Sequence, residues 1–171
     1  MAIPGLKKAD HIGFTVPDVD LAVEFFSAHF GFELAYTFGP FASDDTWMTD
    51  HLNVNPLAEI KKIAVMNANS INLEIFEYAD NIDRNKVAPN NADIGGHHLA
   101  FYVEDIDAAV EYLKKQNIEV LGAPTVMTEG PTEGETWVYF MAPWGMQLEL
   151  VSYPNGKAYE HLTNVRLFDP R

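Results

Sequence analysis

Residues 98–111 read HLAFYVEDIDAAVE, and residues 11–24 read HIGFTVPDVDLAVE. Set over each other at an offset of 87, they share eight identities in fourteen positions. Composition alone would give about one. A second echo follows, because INLEIFEY at 71–78 matches MQLELVSY at 146–153 at an offset of 75. Two segments recurring in the same order define a duplicated module. Each copy opens on a histidine, His11 or His98, and closes on a glutamate, Glu74 or Glu149. The offsets differ by 12, so module one is the longer, with its surplus expected in residues 39–58.

The modules read alike. DHIGFTV (10–16) is rich in β-branched and aromatic residues and reads as a strand. Asp18 or Asp20 caps a helix running to about Phe30, and Gly31 stops it. FELAYTF (32–38) is a second strand, and 59–67 with 71–78 form a hairpin turning at 68–70. Module two repeats this with a strand at 97–103, a helix at 106–116 after Asp105, a short strand at 118–121, and a hairpin of 135–141 and 146–152. The expected organisation is one domain, 1–171, of two βαβββ modules, 8–80 and 95–153, with a C-terminal extension at 154–171. The class is α+β.

Strand side chains alternate between faces. Ile12, Phe14 and Val16 must cover the helix of module one, which turns His11 to the opposite face. Leu73 and Ile75 likewise leave Glu74 and Phe76 facing away from the helix. The same parity places His98, Tyr102 and Glu149 on the non-helix face of module two, where Gly13 and its counterpart Ala100 leave room. If both faces belong to one cup, two imidazoles and two carboxylates converge. A divalent cation balances the two carboxylate charges, which are costly to bury alone. Mixed N/O donors without sulfur suit Zn, Ni, Co, Mn or Fe. The alternative is a pair of structural hydrogen-bonded couples.

Val138 and Phe140 suit the helix side, which leaves Trp137 and Tyr139 in the cup with Tyr102 and Phe76 as an aromatic wall. Phe41, Trp47, Met48 and Leu52 form an apolar set within a long stretch read as irregular. They form a lid over the site, pack on the rim or meet a second subunit. His51 is a candidate second acid or base, or a solvated loop residue. His97 and His29 read as structural, and Glu77, on the helix side, reads as a surface charge.

The motifs HIGFTVPDVDLAVEFF, HHLAFYVEDIDAAVEYL and APWGMQLELVSYP resemble the vicinal oxygen chelate superfamily. This is the glyoxalase, bleomycin resistance and extradiol dioxygenase group, and the resemblance spans about residues 8 to 153. It implies paired βαβββ modules in a half-open barrel. It carries the family's metal positions onto His11, Glu74, His98 and Glu149, with Glu74 or Glu149 as the catalytic base. A His, Glu, His, Glu set looks like the glyoxalase I and epimerase side. The implied activity is a metal-dependent lyase or isomerase working through an enolate-like intermediate. An Fe(II) dioxygenase and a non-catalytic binder of a small hydrophobic compound are the alternatives.

Charge bounds the partners. The formal net charge of −14 argues against nucleic acid and anionic membranes. There is no apolar run of membrane-spanning length, no leader-like start and no cysteine, so a cytoplasmic location is expected. A homodimer is the expected assembly. Only Arg84, Arg166 and Arg171 supply guanidinium groups, none inside a module strand. Glutathione and CoA derivatives are therefore expected to be poor substrates, and small neutral or aromatic oxygenated compounds better ones.

Overall fold

The computed structural model describes residues 3–171; Met1 and Ala2, at the head of the expected domain, lie outside them. The chain divides into two compact units, Met1–Lys86 and Val87–Arg171.

The first unit runs β1 (His11–Thr15), α1 (Val19–Phe30), β2 (Glu33–Phe38), α2 (Trp47–Leu52), β3 (Ile60–Asn67) and β4 (Asn72–Tyr78). Its sheet order is β1-β4-β3-β2. β1 pairs with β4 in parallel, which requires the crossover through α1, while the other pairs are antiparallel. Asp18 starts α1 by accepting from the Leu21 N–H at 3.0 Å. Gly31 ends it at φ 67°, a left-handed conformation that suits glycine. Val19, Ala22, Phe25 and Phe26 of α1 are buried, as are Phe14, Met66, Leu73 and Ile75 of the sheet. Phe14 and Phe26 meet edge to face at 6.2 Å.

The second unit repeats the plan with β5 (Leu99–Tyr102), α3 (Ile106–Lys115), β6 (Val120–Val126), β7 (Thr136–Met141) and β8 (Gln147–Ser152), followed by α4 (Tyr159–Leu162). The order is β5-β8-β7-β6, with β5 and β8 parallel. Asp105 caps α3 through the Ala108 N–H at 2.9 Å. Ile106, Val110 and Leu113 are buried, with Val138, Phe140, Leu148 and Leu150 of the sheet. Each unit is therefore an open sheet with one helix-covered face, the α+β repeat expected from the duplicated motif.

The differences from the sequence expectations have physical causes. Residues 47–52 are helical rather than irregular. Asp45 accepts from the Trp47 N–H at 2.8 Å, and Met48 is fully buried in a cluster with Ala58, Ile60 and Ile63. β6 extends to Val126 through Pro124, because an edge strand tolerates a residue without an N–H. Glu77 is buried rather than a surface charge: it accepts from the Val19 N–H at 3.1 Å and binds Lys61. The tail carries the short helix α4.

Candidate active site

In the first unit, register sets the pair. Gly13 of β1 lies opposite Glu74 of β4, and His11 shares the face of Gly13. His11 Nε2 and Glu74 Oε2 stand 3.2 Å apart. On its other side, His11 Nδ1 meets Asp10 Oδ2 at 2.9 Å. The imidazole is held above its ordinary pKa, first by the Asp10 hydrogen bond and then by the charge of Glu74. Asp10 joins the candidate site through this contact and is absent from the residues expected by sequence. Its signal was its place beside the histidine, which favours one tautomer by accepting the second N–H. A Cβ at Gly13 would meet Phe76 at 3.6 Å and the Glu74 carboxylate at 3.8 Å, an ordinary fit consistent with Ala100 at the matching place.

Phe76 shares the face of Glu74 and stacks on Tyr78 at 6.2 Å. Trp47 and His51 come together one turn apart on α2, ring centroids 4.7 Å, with Phe41 5.0 Å from Trp47. Met48, beside them, anchors α2 to the cluster that also receives Phe76 and Tyr78.

In the second unit, His98 precedes β5, and its Nε2 lies 3.0 Å from Glu149 Oε2. Glu149 is buried, and burial pushes its carboxyl pKa up against the opposing pull of His98. Tyr139 sits opposite Glu149 in register, with its ring 5.2 Å from His98. Burial, then Glu149, raises its phenol. Trp137 continues the wall 5.2 Å from Tyr139 and points its indole N–H at Met127 Sδ, 3.3 Å away. Tyr102 also lies on this face, packed edge to face against Tyr153 at 5.1 Å. The second sheet thus brings together His98, Glu149, Tyr139 and Trp137, whereas Tyr102 packs on Tyr153.

Lys157 and the arginines are engaged by other groups, and Lys157 stands near enough to Glu149 for its charge to favour the carboxylate. Lys157 pairs with Glu135 at 3.1 Å and lies over the Tyr153 ring at 4.3 Å. Arg171 binds Asp169 at 2.7 Å, and Arg166 donates to the Glu160 carbonyl at 2.8 Å. Arg84 donates to the Tyr78 carbonyl at 3.1 Å.

Each His–Glu pair has the spacing of two donors to a common ion. Two donors about 2.1 Å from a common ion stand about 3.0 Å apart at a right angle and about 3.4 Å at the tetrahedral angle. The observed 3.2 and 3.0 Å fall in that range. Among the described residues, no group of three or more His, Asp or Glu side chains is itself placed to hold an ion.

Residues 10–140 match the family model of the Glyoxalase/Bleomycin resistance protein/Dioxygenase superfamily, and the chain belongs to that superfamily. A 2-epi-5-epi-valiolone epimerase from Actinomyces sp. is 49% identical over 170 residues, 98% of this chain and 91% of that protein. Among solved structures, a glyoxalase family protein from Bacillus cereus matches 88% of this chain and 98% of its own, at TM-score 0.64 and 20% identity. The fosfomycin resistance protein FosX from Listeria monocytogenes, complexed with Mn(II) and sulfate, matches 95% of this chain and 100% of its own, at TM-score 0.54 and 20% identity. These two share the fold. No helix among the described residues is long and apolar enough to cross a membrane.

Proposed function

We propose that this protein is an epimerase of small, neutral, polyhydroxylated ketones, with 2-epi-5-epi-valiolone as its first candidate substrate. A divalent cation (Zn, Ni, Co, Mn or Fe) is the proposed cofactor, with the His11–Glu74 pair and the His98–Glu149 pair as its candidate ligand pairs. The observation that carries it is the His–Glu pair repeated in both units, in a chain 49% identical to an epimerase of that ketone.

Epimerisation beside a carbonyl breaks one C–H bond and remakes it on the opposite face. It needs a base and an acid, roles that Glu74 and Glu149 can share. A bound divalent ion supplies Lewis acidity toward the carbonyl. Glu149 is buried, so its charge is poorly solvated and its affinity for a proton is raised. His98 orients it, and Asp10 orients His11 toward Glu74. Trp137 and Tyr139 are proposed to shield Glu149 from water; Phe76, Trp47 and His51 in the first unit and Tyr102 in the second are proposed substrate contacts. A neutral substrate suits a chain of net charge −14 whose arginines are internally engaged.

The test is incubation of metal-loaded protein with the ketone in D₂O, followed by proton NMR. Loss of one signal beside the carbonyl, with growth of the epimer, is expected. Glu149→Gln and Glu74→Gln should each lower turnover by about 100-fold or more, with elemental analysis separating metal loss from lost proton transfer. No exchange with any of the five metals would overturn the reading. Turnover of the glutathione hemithioacetal of methylglyoxal would favour a lyase, and oxygen uptake with iron a dioxygenase.

A further inference from the structure

The geometry points to Tyr36 as a specificity-determining residue, the platform on which a neutral, hydroxylated six-membered ring lies while its reacting carbon faces Glu74. This rests on the epimerase reading above.

Tyr36 of β2 lies opposite Val65 of β3, Val65 opposite Glu74 of β4, and Glu74 opposite Gly13 of β1. Directly opposed residues share a face, so Tyr36 and Glu74 stand on the same side of the sheet, two strand spacings apart. At about 4.8 Å per strand, that is about 10 Å. The valine between them is the low floor of the row. With bonds of about 1.5 Å, a hydroxylated six-membered ring measures about 6 Å across, enough to reach from the phenol toward the carboxylate above the valine.

The neighbouring row, Phe38–Ile63–Phe76, is differently treated. α2 drives Met48 onto it, and Ile63 is buried. The Glu74 row stays open, and Tyr36 is 57% exposed beside Phe38 at 49%, with ring centroids 6.2 Å apart. Two exposed aromatics on an edge strand are a hazard for self-association unless they serve a contact. The C–H face of a cyclic polyol is apolar and packs on an aromatic ring, while the Tyr36 hydroxyl can both donate to and accept from the ring's hydroxyls. Beyond Glu74 and the cation proposed to sit on it, the row carries no charged side chain, so nothing toward Tyr36 is placed to bind a phosphate.

The experiment titrates the metal-loaded full chain with 2-epi-5-epi-valiolone by NMR, which reads affinity whether or not turnover occurs, alongside the D₂O assay. Tyr36→Ala should weaken binding about tenfold (about 1.4 kcal/mol) and raise KM in step, with kcat and metal content nearly unchanged. Tyr36→Phe should retain most of the affinity, and Val65→Phe, which fills the floor, should lose it. Unchanged affinity in Tyr36→Ala overturns the inference, whatever Val65→Phe does. So does an affinity loss that sedimentation traces to a dimer falling apart, since a second copy would then be the occupant. Tyr36-dependent binding without deuterium incorporation leaves the inference standing and removes the epimerase reading. Normal epimerisation with Tyr36→Ala unaltered in KM does the reverse.

Discussion

Glu77→Ala should be the most damaging single truncation of a charged side chain in the first unit. Glu77 is 8% exposed and accepts a 3.1 Å hydrogen bond from the first N–H of α1, at Val19. The N–H groups of a first helical turn have no partner within the helix, and an anion there also meets the positive end of the helix dipole. Asp18 supplies one acceptor, to Leu21, and Glu77 supplies another from across the sheet. Losing a buried hydrogen bond to a charged acceptor costs about 2 kcal/mol. The ion pair with Lys61 adds little, because the lysine side chain is 55% exposed. With a urea slope of about 2 kcal/mol per M, the unfolding midpoint should fall by about 1 M. Glu77→Gln, which keeps an acceptor of the same shape, should lose about half as much. Hydrogen exchange should show the first turn of α1 opening in the alanine variant. A midpoint within about 0.2 M of the parent, or a Lys61→Met variant as unstable as Glu77→Ala, would refute the capping argument.

Further expectations follow from other contacts. Met48→Ala removes a fully buried side chain and should cost about 3 kcal/mol, with loss of amide protection across α2; a cost under about 1 kcal/mol would mean that α2 is not anchored there. Asp169 is held down to about 2 by the Arg171 guanidinium. A lowered carboxylate pKa stabilises the fold above the unfolded value, near 4, and that contribution is lost as pH falls toward 2. Tail amides should therefore gain exchange between about pH 4 and 2, and Asp169→Asn should abolish this dependence; an unchanged profile in the variant would contradict it.

Much of this was legible because it is local or periodic. Asp18, Asp105 and Gly31 act through their own helix ends, and the period of two put His11 with Glu74 and His98 with Glu149. What escaped depends on neighbours distant in sequence. Alternation put Glu77 on the helix side, but only the fold brings a helix N-terminus to it. Helix α2 has six residues and no cap from its own N-cap side chain, so its stability comes from Met48 in the cluster rather than from a sequence signature. The strand expected at 118–121 stops short of Pro124 because an edge position cannot be inferred from one strand alone. Tyr36 went unremarked for a related reason: its face follows from pairing with Val65 across a bulge.

The α2 segment has one more consequence, for how the fold closes. Twenty-one residues separate β2 from β3, but nine separate β6 from β7. The parallel pair of the first unit therefore joins residues 61 apart, His11 and Asn72, against 49 for Leu99 and Leu148 in the second. Loop-closure entropy grows only with the logarithm of length, so this difference costs about 0.2 kcal/mol. Burying Met48 outweighs it roughly tenfold. The connection carrying Trp47 and His51 can thus vary in length and composition at almost no topological penalty, while the strands that present His11 and Glu74 keep their pairing.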